Sequence, residues 1–412
     1  MKNVLPKDIT IVIVNDFDYV QGGASKVALD TAKILYENGY QVIFFSGSHQ
    51  DNEYTNVGFK NISLNISECL KDKNKIRGSF RGIYNLKAKK EFKRILNNLD
   101  PNKTIIHVHG WTKTLSSSIF SVAFKMHFKV VLTLHDYFSA CPNGGFFNYK
   151  KNKICKLAPL SCKCIFTNCD SRNYFFKVYR ILRHFVQNKI VKLNEKIEFV
   201  IYVSNFSHKI LNKYFSKKTS SYIIYNPLDE FKKQINSKQV SKKYILFVGR
   251  VSKEKGIILF CKAVSELNYP AIVIGDGPLL NVLKKEFPNI KFLGWKNSKE
   301  IINYYQYAHV FVFPSLWYET AGLTVLEAAQ CNLYSLVSDN SASKEFVKKY
   351  SIGDLFQSGN LNDLKDKLQN LFSKKKKSIT KSIKKINEEL NENKYLSNLL
   401  NVYQLVLEKG EK

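Results

Sequence analysis

The sequence predicts an α/β protein of two doubly wound, Rossmann-like units that face each other across a cleft. Three observations predict it. The chain has 412 residues, too many for one ordinary core and comfortable for two. Apolar runs that read as strands alternate with amphipathic stretches that read as helices, in two separate series. Glycine-bearing turns close many of the strand-like runs, at the strand ends where open α/β sheets bind ligands.

The first series begins with Ile9–Val14, a continuous apolar run of the kind a parallel strand covered on both faces requires. Gly22-Gly23 follows. Ala24–Asn38 then reads as a helix with Val27, Leu29, Ala32, Ile34 and Leu35 apolar, closed by Gly39. Gln41–Ser46, Thr104–His109, Lys129–His135 and Glu198–Ser204 are further strands. The polar stretch Asp229–Lys243 reads as a linker. The second series runs Tyr244–Val248, a helix over Gly256–Leu267, Ala271–Ile274, Ile290–Leu293, Val310–Phe313, a helix over Leu323–Ala329, and Leu333–Val337 as the last core strand. Helices are expected over Leu361–Leu371 and Ile379–Leu407. The expected domains are therefore residues 1–230, with a cysteine-rich insertion over 141–169, and residues 240–380. A helical tail over 381–412 could pack back on the first domain.

Hydrophobic residues make up 44% of the chain, as a packed protein needs. Lys and Arg number 64 against 34 Asp and Glu, a formal charge of +30. Such a charge suits nucleic acid, an anionic membrane face or phosphorylated substrates. No RRM, KH, zinc-finger or helix-turn-helix pattern accompanies it, so nucleic acid is not an expected partner. No signal peptide is visible, and no apolar run approaches the roughly 18 residues of a membrane span. The expected place is the cytoplasm, with peripheral attachment to the inner membrane face if the acceptor is lipid-borne.

The strongest chemical signal is Glu319-Thr320-Ala321-Gly322-Leu323-Thr324-Val325-Leu326-Glu327, after a strand that ends in Phe313-Pro314-Ser315. Glu319 precedes a helix and Glu327 lies in its second turn. The free N–H groups of the first turn form an anion site. A plainer reading makes them a helix-start acid and a surface acid. Gly249-Arg250-Val251-Ser252-Lys253-Glu254-Lys255-Gly256 ends the first strand of the second series and offers two cations, Arg250 and Lys255, to a diphosphate leaving group. Gly275-Asp276-Gly277-Pro278 is another strand-end turn.

These four ordered motifs, G-R-x-x-x-x-K-G, I-G-D-G-P-L, F-L-G-W and F-P-S-x-x-E-x-x-G-L-x-x-L-E-A, resemble the retaining GT-B glycosyltransferases of family 4 from about Tyr244 to Phe346. The resemblance implies that Arg250 and Lys255, with the Gly249 and Gly277 turns, grip the donor diphosphate. Glu319 would contact the donor sugar and Glu327 the ribose. The backbone at Ala321-Gly322-Leu323 would meet the phosphates, and Trp295 would lie near the base. In the first unit Gly22 and Gly23 resemble the loop facing the donor phosphate and acceptor, and His135 the strand-end histidine beside the reacting sugar. His109 is an acceptor-side candidate. The implied reaction moves a hexose or derivative from a UDP- or GDP-sugar to a saccharide or lipid-linked acceptor in cell-surface polysaccharide synthesis. Configuration would be retained, with no cofactor and no catalytic metal. A nucleotide-sugar epimerase of the same fold and a basic nucleic-acid-binding protein are the alternatives. Asp16-Phe17-Asp18 matches a D-x-D metal motif by letters only, because it follows the first strand of a Rossmann-like unit.

Cys141, Cys155, Cys162, Cys164 and Cys169 fall within 29 residues. Their spacing is not that of paired zinc knuckles. A structural zinc site is one reading and free thiols are the other. Over residues 174–193, Val178, Ile181, Leu182, Phe185 and Val186 share one helical face, and Lys177, Arg180, Arg183 and His184 gather on the opposite one. A basic amphipathic helix suits an anionic membrane surface, and a core helix with a charged outer face has the same pattern.

Overall fold

A computed structural model describes residues 5–228 and 243–409. The linker expected over Asp229–Lys243 lies outside the described residues, apart from Lys243 itself. The chain groups into two compact units. The first holds the chain up to Gly145, Leu157–Asn226 and the segment from Glu392; the second holds Phe146–Lys156 and Pro227–Asn391.

The strands of the first unit are β1 (Thr10–Phe17), β2 (Gln41–Ser48), β3 (Lys60–Ser63), β4 (Thr104–Val108) and β5 (Lys129–Leu134). A short antiparallel hairpin, β6 (Phe147–Asn148) and β7 (Lys153–Ile154), belongs to the second unit. The chain then returns to the first sheet with β8 (Phe199–Tyr202) and β9 (Ser220–Ile223). The sheet is parallel, in the order β3-β2-β1-β4-β5-β8-β9. All eight residues of β1 are buried, which explains the apolar run Ile11-Val12-Ile13-Val14 within it. Ile11 pairs with Val42 on one side and Ile105 on the other. The helix Gly23–Glu37 lays Ala28, Leu29, Ala32 and Leu35 on this sheet. The helix Glu392–Glu408 adds Leu399, Val402, Tyr403 and Val406 to the same core.

The second unit holds β10 (Ile245–Val248), β11 (Ala271–Ile274), β12 (Lys291–Phe292), β13 (Val310–Phe313), β14 (Ser335–Ser338) and β15 (Gly353–Phe356). They form a parallel sheet in the order β12-β11-β10-β13-β14-β15. Its core joins Phe247, Val273 and Val312 to Phe260 and Val264 of the helix Ile257–Glu266 and to Leu364 and Leu368 of the helix Leu361–Ser373. Leu333–Val337 is therefore not the last core strand: β15 lies beyond it, at the sheet edge, where half-exposed residues suffice. The helical run expected over Ile379–Leu407 is two helices. Thr380–Glu389 packs on the second unit, against the helices Leu323–Gln330 and Ser343–Tyr350, and Glu392–Glu408 on the first.

The basic segment departs from its expected orientation. The helix spans Tyr174–Phe185, continues as a π-helical turn over Val186–Ile190 and stops at Lys192, whose φ is 59°. Its charged side points inward. Lys177 is 1% exposed. Arg180 Nε pairs with the buried Asp170 Oδ2 at 3.1 Å. Arg183 donates to the Thr112 carbonyl at 3.2 Å and covers the Phe138 ring. His184 contacts Asn188 at 2.9 Å, and burial lowers its pKa to about 3. The apolar side faces outward: Phe175 is 74% exposed, with Val178, Leu182 and Phe185 also exposed. The helix is thus neither a core helix with a charged outer face nor one that presents its basic face to a membrane. Asp170, Thr112 and the thiols beside Lys177 supply the polar partners that make the inward placement stable.

All eight cysteines are free thiols. Among the described residues no group of three or more His, Cys, Asp or Glu is arranged to hold a metal ion. The zinc reading of Cys141, Cys155, Cys162, Cys164 and Cys169 does not fit this arrangement. Cys162 is exposed, and the ammonium of Lys177 stands against the sulfurs of Cys164 and Cys169 where a cation would sit.

Candidate functional site

In the second unit the strand ends are drawn together by their loops. After β10 the chain makes a single 3₁₀ turn, Lys253–Lys255, and then Gly256 in the left-handed region at φ 69°. A β-carbon at Gly256 would lie 1.9 Å from the Pro314 carbonyl oxygen. Only glycine therefore lets the loop after β10 press on the loop after β13. Leu316 N donates to the Glu254 carbonyl at 2.9 Å and fastens the same two loops. Val251 N donates to the Asp276 carbonyl at 2.9 Å, and Gly275 N to the Gly294 carbonyl at 2.8 Å. The turns at Gly249, Gly277 and Gly294 are thereby tied into one rim.

Glu319 sits on this rim, 8% exposed. Its Oε1 accepts from Lys255 Nζ at 2.6 Å, Ser315 Oγ at 2.6 Å and Trp317 Nε1 at 2.7 Å. The Lys255 ammonium also stands 5.3 Å from the centre of the Trp317 ring. The backbone of Glu319 bridges Ser341, and its carbonyl accepts from Ala342 N. One carboxylate oxygen thus fixes a cation, a hydroxyl and an indole.

Gly322, at φ 72°, caps the helix Leu323–Gln330, whose first turn is partly exposed. Its left-handed backbone aims the first N–H groups out of the helix start, where anions bind. Glu327 lies one turn in, half-buried, and the Tyr305 hydroxyl donates to its Oε2 at 3.4 Å. Arg250 is exposed on the rim beside Gly249. Trp295 is 71% exposed after β12. The structure therefore joins Lys255 to Glu319 directly and ties the turns of Gly249, Gly277 and Gly294 into the same rim. It places Glu327 against Tyr305.

The first unit has its own strand-end site. A cavity of about 170 Å³ opens at the ends of β1, β4 and β5, and Asn15, Gly22, Gly23, His109, Lys113 and Asp136 help to line it. His135 Nε2 lies 2.9 Å from His109 Nδ1, with the rings stacked. His107 lies behind them, held by the Tyr403 hydroxyl and Thr133 Oγ1, both at 2.7 Å. Burial lowers His135 to about 4 and His107 to about 3, and drives His109 well below the ordinary histidine value. These imidazoles are neutral near pH 7. Burial pushes Asp136 up to about 6, against the backbone N–H of Phe138 and the charges of Arg183 and Lys113.

Asp16 and Asp18 are consumed by protein donors. Asp16 accepts from the backbone N–H groups of Lys113, Thr114 and Leu115, and Asp18 from Asn61 and Gln50 while it pairs with His49. They hold loops. Reasoning from sequence missed Ser315, Trp317 and Lys113. Ser315 and Trp317 are a lone hydroxyl and a lone indole before Glu319, and nothing in their spacing marked them.

The two doubly wound units, with a cation and a carboxylate paired at strand ends beside a helix start, define a glycosyltransferase of the GT-B type. The family "Glycosyltransferase Family 4" matches residues 21–230 and "Glycosyl transferases group 1" matches residues 229–393. The chain belongs to glycosyltransferase family 4. It is 26% identical over 343 residues to an uncharacterized 42.6 kDa protein in the cps region of Klebsiella pneumoniae, covering 78% of this chain and 82% of that one. It is 30% identical over 115 residues to the D-rhamnosyltransferase WbpZ of Pseudomonas aeruginosa, covering 26% of this chain and 30% of that one. In fold it is similar to the sucrose-phosphate synthase of Thermosynechococcus elongatus, with a TM-score of 0.70, 15% identity and coverage of 97% and 100%. It is also similar to Anabaena Alr3699/HepE, solved with UDP, with a TM-score of 0.65, 14% identity and coverage of 96% and 100%.

Proposed function

We propose that the enzyme moves a hexose or derivative from a UDP- or GDP-sugar to a saccharide acceptor during cell-surface polysaccharide synthesis, with retention of configuration. The observation that carries this reading is the Lys255–Glu319 pair on the rim, with Ser315 and Trp317 on the same oxygen. Lys255 and Arg250 stabilise the diphosphate as the bond to the sugar breaks. The turns at Gly249 and Gly277 and the backbone of Ala321, Gly322 and Leu323 carry the phosphate oxygens, and Trp295 lies near the base. Glu319 accepts from sugar hydroxyls, and Glu327 from the ribose. The acceptor oxygen bonds to the anomeric carbon on the face the diphosphate leaves, and the departing phosphate oxygen takes the acceptor proton. In the first unit Gly22 and Gly23 face phosphate and acceptor, and neutral His135 serves the reacting sugar. The Klebsiella relative in a cps region and the lipopolysaccharide 1,2-N-acetylglucosaminetransferase of Salmonella typhimurium, 25% identical over 140 residues, support the polysaccharide setting.

A panel of nucleoside diphosphate sugars tests this. One of them is expected to raise the unfolding temperature in a concentration-dependent way and to be hydrolysed slowly without acceptor. If none of the UDP-, GDP-, ADP- or dTDP-sugars does either, the reading fails.

The outward apolar face supports a lipid-linked acceptor met at a membrane. Phe175, Val178, Leu182 and Phe185 follow helical spacing, and the adjoining helix Lys75–Ile83 adds Ile76 and Phe80, both at least 70% exposed. Exposed Lys75 and Lys189 belong to the same segments, and exposed Lys73 lies just ahead of the helix Lys75–Ile83. Apolar side chains beside cations suit an anionic bilayer surface. No helix among the described residues is long and apolar enough to cross a membrane.

A further inference from the structure

The most unusual group outside the site is the ammonium of Lys177. Its side chain is buried, and its Nζ stands 3.3 Å from Cys169 Sγ and 3.5 Å from Cys164 Sγ. Buried ammonium groups in proteins normally rest on carboxylates or carbonyls. The nearby carboxylate Asp170 is taken by Arg180. Both cysteines are free and buried. The Asn143 side chain donates to the Cys169 carbonyl at 2.9 Å and holds that sulfur against the helix. An amine and a thiol are thus fixed at near-contact distance with almost no water between them.

We propose that Lys177 and Cys169 are a modification site at which a hydroperoxide forms a reversible covalent sulfur–nitrogen bond. In the first step the Cys169 thiol, whose pKa burial raises, gives its proton to water as its sulfur attacks one peroxide oxygen and the O–O bond breaks. The sulfur is oxidised to sulfenic acid, and the leaving oxygen takes a proton from the Lys177 ammonium and departs as water. Lys177 is then a neutral amine. In the second step its nitrogen bonds to the sulfenic sulfur, the S–O bond breaks, and the hydroxyl leaves with an amine proton as a second water. One thiol, one ammonium and one hydrogen peroxide give one sulfenamide, two waters and one proton released to solvent. A thiol reductant attacks the S–N bond and regenerates amine and thiol. The same proton lost by Lys177 in the first step makes it the nucleophile of the second. Cys162, exposed and four residues from the end of its helix, makes no such contact with Lys177 and serves as the internal comparison.

The proposal does not depend on the sugar-transfer reading. The test exposes the folded protein to a few equivalents of hydrogen peroxide, blocks remaining thiols and amines after unfolding, and maps chymotryptic peptides by mass. Chymotrypsin cuts at the aromatic residues 174–176, between the two groups. The expected product joins the Cys169 and Lys177 peptides at the sum of their masses less two hydrogens, and dithiothreitol separates them. Lys177→Arg, checked for an unchanged unfolding temperature, is expected to give no joined pair and to carry Cys169 on to sulfinic acid. The proposal is overturned if Lys177 stays open to acylation while Cys169 forms a disulfide with Cys164 or goes to sulfinic acid in the wild-type chain. A joined pair heavier by one oxygen would equally overturn direct sulfur–nitrogen bonding.

Discussion

Lys255 Nζ and Glu319 Oε1 lie 2.6 Å apart, although 64 residues separate them in the chain. Each stands as the opposite charge beside the other in a partly enclosed place. Lys255→Ala and Glu319→Ala are each expected to lower kcat/KM by at least about 10²-fold, the scale of one lost transition-state contact. The double variant should lose less than the product of the two, because both remove the same pair. Steady-state kinetics on four folded proteins measures this. Independent, multiplicative losses would show that the pair does not act as a unit.

Acid should destabilise the enzyme through its buried imidazoles. His107, His135 and His184 titrate at about 3, 4 and 3 because burial opposes their charged forms. An unfolded histidine binds its proton near 6.5. Their depressed values therefore give full stability above pH 6.5, lost as pH falls toward 4 at about 1.4 kcal/mol per pH unit for each. Asp136, raised to about 6 by burial, works in the opposite sense: its folded form gains a proton first and offsets one histidine between pH 6 and 4. Unfolding temperatures across pH 7.5 to 4.5 are expected to fall, and more steeply in Asp136→Asn.

Gly256→Ala should destabilise the second unit. Its φ of 69° is unfavourable for alanine, and the added carbon meets the Pro314 carbonyl oxygen. A loss of about 1–3 kcal/mol is expected from strain of this kind, read from denaturant unfolding. Because the loop after β10 carries Lys255, donor affinity should weaken in the same variant.

Phe175→Glu with Leu182→Glu should abolish co-sedimentation with vesicles that contain anionic lipid and leave the unfolding free energy within about 1 kcal/mol of wild type, as for surface changes. Binding by the wild type should weaken at high salt and with neutral vesicles. Equal sedimentation of wild type and variant would remove the membrane reading.

Much of the fold was legible because the buried parallel strands are continuous apolar runs. β3 and β15 escaped because Lys60-Asn61-Ile62-Ser63 and Gly353-Asp354-Leu355-Phe356 are edge segments with half-exposed faces. The rim motifs announced Glu319 and Lys255 by their order along the chain. They did not announce that Ser315 and Trp317 share the same carboxylate oxygen, since one hydroxyl and one indole carry no pattern of their own. The periodicity of residues 174–185 showed two faces, and the choice of inner face was set elsewhere. Asp170, Thr112, Cys164 and Cys169 receive the basic groups, and no helical spacing contains them.

The helix Glu392–Glu408 completes a sheet whose first strand begins at Thr10, and Tyr403 is the hydroxyl that steadies His107. During synthesis the amino-terminal half emerges from the ribosome long before this helix. Its hydrophobic sheet surface must wait, uncovered, until this helix is released. A premature stop after Asn391 would thus spare every residue of the Lys255–Glu319 rim and still leave the histidine cluster without its anchor.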